Sequence, residues 1–235
     1  MREAIINRIS RRTYQPTPIA AELREEICAE IDRLNRESGL SFALAEDAGE
    51  AFGSMRRSYG MFSGVRSVVV LKGAADLPDL AEKIGWYGEK LILDLTDMGL
   101  GTCWVGGTFD RGQFRIPPGE TMLCVVPVGY VAELSVKEKL IRGALSRRRK
   151  PVSQRLVGYE SAPAWVLDAM EAVRLAPSAV NSQRPVFTYK NGAVTAAVEA
   201  GRDMDLIDLG IAKLHFAETA GGHFAFGQNG NFVKD

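Results

Sequence analysis

Four short segments of this 235-residue chain carry side chains with chemistry beyond packing. Arg11-Arg12-Thr13-Tyr14 sets two guanidinium groups beside a hydroxyl. That donor set suits a phosphate monoester, because Arg offers a planar fork and Thr adds one more donor. A solvated basic turn ahead of a helix has the same composition. In Ala176-Pro177-Ser178-Ala179-Val180-Asn181-Ser182-Gln183-Arg184-Pro185, proline ends a helix and small residues allow close approach to a ligand, while Ser178, Asn181 and Gln183 offer donors and acceptors to a polar heterocycle or sugar chain. A plain polar loop uses the same residue types. In Gly101-Thr102-Cys103-Trp104-Val105-Gly106-Gly107 the glycines permit positive φ and leave backbone N–H groups to point at a ligand. Cys103 reads as a small packing thiol rather than a nucleophile, since no histidine lies near it in sequence. The run Arg147-Arg148-Arg149-Lys150 is a solvated charge run unless Arg11 is close in space, when it becomes a second phosphate clamp.

These segments need elements to hold them. Thr17-Pro18 reads as a helix start, with Ile19, Leu23, Ile27, Ile31 and Leu34 on one face and an end near Gly39. The β-branched run from Ser67 predicts a central strand covered on both faces. Residues 79–100 form a helix so apolar all round that it belongs in the interior, stopped by Gly99 and Gly101. Residues 122–128 are a buried strand. Ser135 and Glu138 have capping-box spacing and open a short helix that ends near the basic run.

After Gly158 the pattern begins afresh. It has a helix over 163–176, a strand over 186–189, a tight turn at Lys190-Asn191-Gly192, and a helix over 204–220 with Ile207, Ile211, Leu214 and Phe216 as its apolar side. The tail, 222–235, reads as a final edge strand with a loose end. We therefore divide the chain into 1–158 and 159–235, in an α+β layered fold.

Composition excludes several classes of function. Lys plus Arg (29) equals Asp plus Glu (29), so no global field draws the chain to nucleic acid or acidic lipid. The N-terminus lacks the apolar core of a signal peptide and no run approaches a membrane span, which makes the cytoplasm the expected location. Three scattered cysteines and two histidines give neither a disulfide framework nor a metal site.

Taken together, the R-R-S/T-like Arg11-Arg12-Thr13, the Gly99-Leu100-Gly101-Thr102-Cys103-Trp104-Val105-Gly106-Gly107 segment, the basic run ending in proline and the A-P-S-x-x-N-x-Q pattern at 176–183 resemble the nitroreductase family over nearly the whole chain. The resemblance implies a layered α/β/α sandwich, FMN as cofactor and NAD(P)H as electron donor. It also implies a small electron-poor acceptor, such as a nitroaromatic or quinone. In the common family pattern the A-P-S-x-x-N-x-Q segment follows the first helix and faces a partner subunit. Here it comes late, so the resemblance is to a tandem branch whose two half-related segments form an intramolecular pseudo-dimer, a monomer with one flavin site.

Carried over residue by residue, Arg11, Arg12 and Thr13 match the phosphate arm, and Arg147 with Arg149 the late phosphate contacts. Pro177, Ser178, Asn181 and Gln183 match the flavin contacts of the partner chain. Trp104, Val105, Gly106 and Gly107 fall where the family sets a backbone N–H near flavin N5. Departures stand at Gln15, at Gln183-Arg184-Pro185 in place of Q-P-W, and around Arg56 to Met61, where the pyrimidine-edge contacts have no counterpart. Arg11 and Arg149 are expected to be partly exposed clamps. No general acid or base is assigned. Two rivals remain: a flavin-binding or flavin-sensing protein without turnover, and an interaction protein using the basic run.

Overall fold

The computed structural model describes residues 1–53, 61–134, 138–140, 143–144 and 148–235. Ser135, Arg147 and the positions between Arg56 and Met61 lie outside the described residues. The chain forms two compact units: Met1–Asn7, Ala81–Lys90 and Gly143–Asp235 make one, and Arg8–Leu80 with Leu91–Arg142 the other. These bounds differ from the 1–158 and 159–235 division. Long-range contacts return the N-terminal residues and part of an interior helix to the C-terminal unit.

The larger unit by sequence begins with helix α2 (Ala21–Ser38), which follows the short helix α1 (Glu3–Asn7). Ile27, Ile31 and Leu34, spaced by four and three, form the buried stripe of α2. The helix starts at Ala21, later than Thr17-Pro18 suggests, and no side chain caps it. Gly39 ends it in the left-handed conformation (φ 74°), its N–H donating to Asn35 O at 2.9 Å.

Strands β1 (Ala43–Ala45), β2 (Ser67–Ala74), β3 (Gly101–Thr102) and β4 (Glu120–Gly129) pair antiparallel in the order β1-β2-β4-β3. As the unbroken β-branched run implies, β2 is central and Val68, Val69, Val70 and Leu71 are buried. Helix α3 (Glu50–Gly53) brings Phe52 against Phe62 and Phe109 over one face of the sheet.

Helix α4 (Leu80–Asp97) is interior, as its apolar girth predicts. The C-terminal unit is built on β5 (Leu156–Val157), β6 (Val186–Lys190), β7 (Ala193–Ala197), β8 (Gly222–Phe224) and β9 (Gly230–Lys234), in the order β5-β6-β7-β9-β8. The tail is thus a hairpin rather than one edge strand with a loose end, because β9 finds ladder partners in both β7 and β8. Asn191 and Gly192 both take positive φ (53° and 81°), the backbone a two-residue hairpin turn needs.

Helices α5 (Ala164–Leu175) and α6 (Asp203–Ala220) complete this unit. Its core is aromatic: Phe187 stacks on Phe216 at 5.3 Å between centroids, and Phe224 meets both. Helix α6 is buried on all sides, including Lys213 and His215. Lys213 Nζ reaches Glu82 Oε1 (2.5 Å) and donates to Ala225 O and Gly227 O (3.0 and 2.9 Å). His215 is held between Glu89 Oε1 (2.8 Å) and Ala172 O (3.1 Å). The buried polar ends of Lys213 and His215 are therefore hydrogen-bonded, the condition under which such groups are tolerated.

Candidate functional site

The residues singled out from the sequence fall into two sets, one in each unit. The first is the arm of Arg11, Arg12 and Thr13 with the glycine segment after α4. Arg11 N donates to Thr102 O at 2.8 Å, and a Ser10–Thr102 bridge joins arm and segment side by side. Gly101 is needed here for space, since a Cβ at that position would lie 2.3 Å from Val131 Cγ1 and 3.0 Å from Arg11 Cγ. Positive φ is not what it supplies; within this stretch Gly99 alone takes it, at 79°.

Arg11 is not the partly exposed clamp that the sequence suggests. It is 9% exposed, its Nε lies 3.3 Å from Glu138 Oε1, and its NH2 donates to Ala132 O at 2.7 Å. The same Glu138 oxygen accepts from the Arg12 and Thr13 backbone N–H groups at 2.9 and 3.3 Å. An internal carboxylate thus occupies the anion nest that the arm's backbone makes. Tyr14 closes it from beneath, its hydroxyl donating to Arg11 O at 2.8 Å. Burial pushes the Tyr14 phenol well above its ordinary value, so it stays a neutral donor.

The outward groups of the arm are the half-buried Arg12 side chain and the exposed Thr13. Val105 pairs with Val125 through two backbone bonds (2.9 and 3.0 Å), which fixes the glycine segment to β4. Trp104 is half-buried beside it, and among the described residues the Gly106 and Gly107 N–H groups have no acceptor. Cys103 is buried, and its thiol is raised first of all by burial, in keeping with packing.

The second set is the basic run and the loop after α5. Pro177 and Ser178 lead out of that helix, and the Ser178 hydroxyl accepts from the Gln183 N–H at 3.0 Å. Val180, Asn181 and Gln183 all take positive φ (47°, 56° and 50°). Such conformations cost about 1–3 kcal/mol each for non-glycine residues and concentrate at ligand sites.

Gln183 is buried and holds the loop rather than facing outward. Its Nε2 donates to Arg148 O (3.0 Å) and its Oε1 accepts from Lys150 N–H (2.8 Å). Lys150 Nζ adds bonds to Ser182 O and Gln183 O (3.1 and 3.3 Å). The basic run is thereby joined to the loop, with Arg148 exposed and Arg149 half-buried. From below, the Asp208 carboxylate accepts from Ala179 N–H at 2.9 Å and from the Ser182 hydroxyl at 3.3 Å. The sequence marks Glu138 only as a capping-box residue and Lys150 only as part of the basic run, and it does not single out Asp208; their ties to Arg11, to Gln183 and to Ala179 are not legible there. Each acts on a partner dozens of residues away or more, and no spacing rule carries that signal.

A family model described as "Putative TM nitroreductase" matches residues 1–220. The chain belongs to this nitroreductase family. A crystal structure described as a "putative nitroreductase" of Thermotoga maritima MSB8 has the same fold, with a TM-score of 0.65 at 22% identity over 98% of this chain and 90% of that one. An FMN-dependent nitroreductase from Clostridium difficile R20291 superposes in part, with a TM-score of 0.48 at 17% identity over 57% of this chain and 90% of that one. So does a nitroreductase with bound FMN from Bacteroides fragilis NCTC 9343, with a TM-score of 0.44 at 16% identity over 57% and 89%. No curated relative matches in sequence. The α+β nitroreductase fold expected from the motifs is therefore the fold found, and among the described residues no helix is long and apolar enough to cross a membrane.

Proposed function

We propose that this nitroreductase-family chain is an FMN-dependent NAD(P)H oxidoreductase that delivers electrons to a small electron-poor acceptor such as a nitroaromatic or quinone. The observation that carries the reading is the loop at 178–183. Three left-handed non-glycine residues leave the Asn181 amide without a side-chain hydrogen bond among the described residues, at a position the family motif gives to flavin contact. A polar heterocycle with donors and acceptors on its edge is the complement of that amide.

The donor set fits a phosphorylated flavin, with one reassignment. Arg11 is committed to Glu138, so within the arm the phosphate is addressed by the Arg12 guanidinium and the Thr13 hydroxyl. Arg11 acts beneath them by fixing the arm. The Gly106 and Gly107 N–H groups are the donors toward flavin N5. When bound, the flavin supplies the hydride chemistry; the chain supplies orientation and donors that stabilise the reduced, anionic ring. We further propose that the chain acts as a monomer, each half providing what a partner subunit provides elsewhere in the family.

The decisive experiment is the visible spectrum of the purified chain before and after adding FMN, followed by NADH and NADPH oxidation with a quinone or nitroaromatic. Flavin absorption with turnover is the expected result. A chain that stays colourless with excess FMN overturns the reading, and a yellow chain without turnover reduces it to flavin binding.

A further inference from the structure

The loop that presents Asn181 is anchored by the carboxylate of Asp208, which lies outside the 176–183 segment on a separate helix. Asp208 sits on α6, which is buried from Ile207 to Ala217, and is itself 2% exposed. Its two oxygens lie 2.9 and 3.1 Å from Ala179 N, and Oδ2 accepts from Ser182 Oγ at 3.3 Å. Those two attachments bracket Val180 and Asn181. Outside the bracket, Lys150 and Gln183 clamp the far end of the loop.

What the bracket holds is costly backbone. Val180 is β-branched, takes φ 47°, and is 91% exposed, so no packing compensates for its conformation. Strain of this kind persists only where surrounding bonds over-determine it. Asp208 is well suited to do so, because its helix is fixed in the core and does not follow the loop.

We propose that Asp208 is the positioning residue of this loop, holding Ala179 and Ser182 so that Val180 and Asn181 meet the flavin ring in one geometry. This rests on the flavin reading above. The charged groups acting on it are Asp205 on the same helix and Arg155 from the turn before β5. Burial raises the Asp208 carboxyl to about 7, Asp205 adds to the rise, and the bonds from Ala179 and Ser182 with the Arg155 charge oppose it. The tie is therefore tightest on the alkaline side of neutrality, where both oxygens accept.

The test compares wild type with Asp208→Asn and Ser182→Ala. FMN affinity is measured by fluorescence at pH 6 and pH 8, and amide hydrogen exchange of the flavin-free chains reads residues 179–183. Asp208→Asn is expected to weaken FMN about tenfold or more at pH 8 and much less at pH 6, where wild type approaches the neutral variant; exchange in the loop rises while α6 stays protected. Ser182→Ala, which removes one bond at a half-buried position, gives a smaller loss with the same pH trend. Equal affinity of Asp208→Asn and wild type at pH 8, or an equal loss at both pH values, overturns the proposal. Unchanged loop exchange overturns it as well. If wild type itself binds no FMN at either pH, the flavin reading fails and takes the proposal with it, an outcome distinct from a variant that matches a flavin-binding wild type.

Discussion

Arg11 and Glu138, 127 residues apart in sequence, form a buried ion pair in which Glu138 Oε1 lies 3.3 Å from Arg11 Nε while also accepting from the next two backbone N–H groups of the arm. The motif residue that looks most like a ligand clamp is thus a structural anchor, and the outward groups of the arm are those of Arg12 and Thr13.

Arg11→Ala is accordingly expected to destabilise the fold. The substitution removes the guanidinium from beside Glu138, which is 4% exposed. Breaking a buried pair in this way costs about 3–5 kcal/mol. Urea unfolding of the variant checks this; a midpoint equal to wild type contradicts the anchoring role.

Arg12→Ala and Thr13→Ala behave differently. Both side chains are at least partly exposed, and losing them changes stability by no more than about 0.5 kcal/mol. FMN affinity should nonetheless fall, since a charge-assisted bond to a phosphate is worth about 1.5–3 kcal/mol. Titration of each variant with FMN and with riboflavin separates the cases: the loss appears with FMN and not with riboflavin.

Glycines at helix crossings give a third prediction. A Cβ on Gly210 would lie 2.0 Å from Glu82 O, and one on Gly85 would lie 2.0 Å from Ile207 O. Both clashes are with backbone, which cannot swing aside. Gly210→Ala and Gly85→Ala should each cost about 1–3 kcal/mol or more, against a gain of under about 1 kcal/mol in helix propensity. Thermal melting of the two variants shows whether the crossing is as tight as these distances.

The buried pair Lys213–Glu82 gives a fourth. Lys213→Met removes the cation facing Glu82 and the ammonium donor to the carbonyls of Ala225 and Gly227, so a large loss of stability, on the order of 3–5 kcal/mol, is expected. The double variant with Glu82→Gln should recover part of it, because the stranded charge is gone. A double variant no better than the single one argues against the pair as the cause.

The last prediction concerns pH. Asp208 titrates near 7 in the folded chain against 3.8 for a free carboxyl, so folding favours its protonated form. Its contribution to stability is full below about pH 4, is lost as pH rises toward 7, and is flat above. The change is on the order of a few kcal/mol. Unfolding free energies measured from pH 4 to 8 should show a decline that Asp208→Asn removes.

Much of this molecule is written in local sequence. The four- and three-residue spacing of Ile27, Ile31 and Leu34 fixes α2, the run from Val68 to Leu71 a central strand, and Asn191-Gly192 a hairpin turn, because each pattern acts between near neighbours along the chain. The combination of segments at 11–13, 99–107 and 176–183 also marked the family. Only the folded chain decided which arginine is buried, since Glu138 reaches Arg11 across more than half the sequence. It likewise set Lys213, His215 and Asp208 inside α6, where each polar group finds partners on other elements, and turned the tail into a hairpin by giving β9 two neighbours. Pairing of distant groups depends on where the backbone places them, and no periodicity along the chain encodes that.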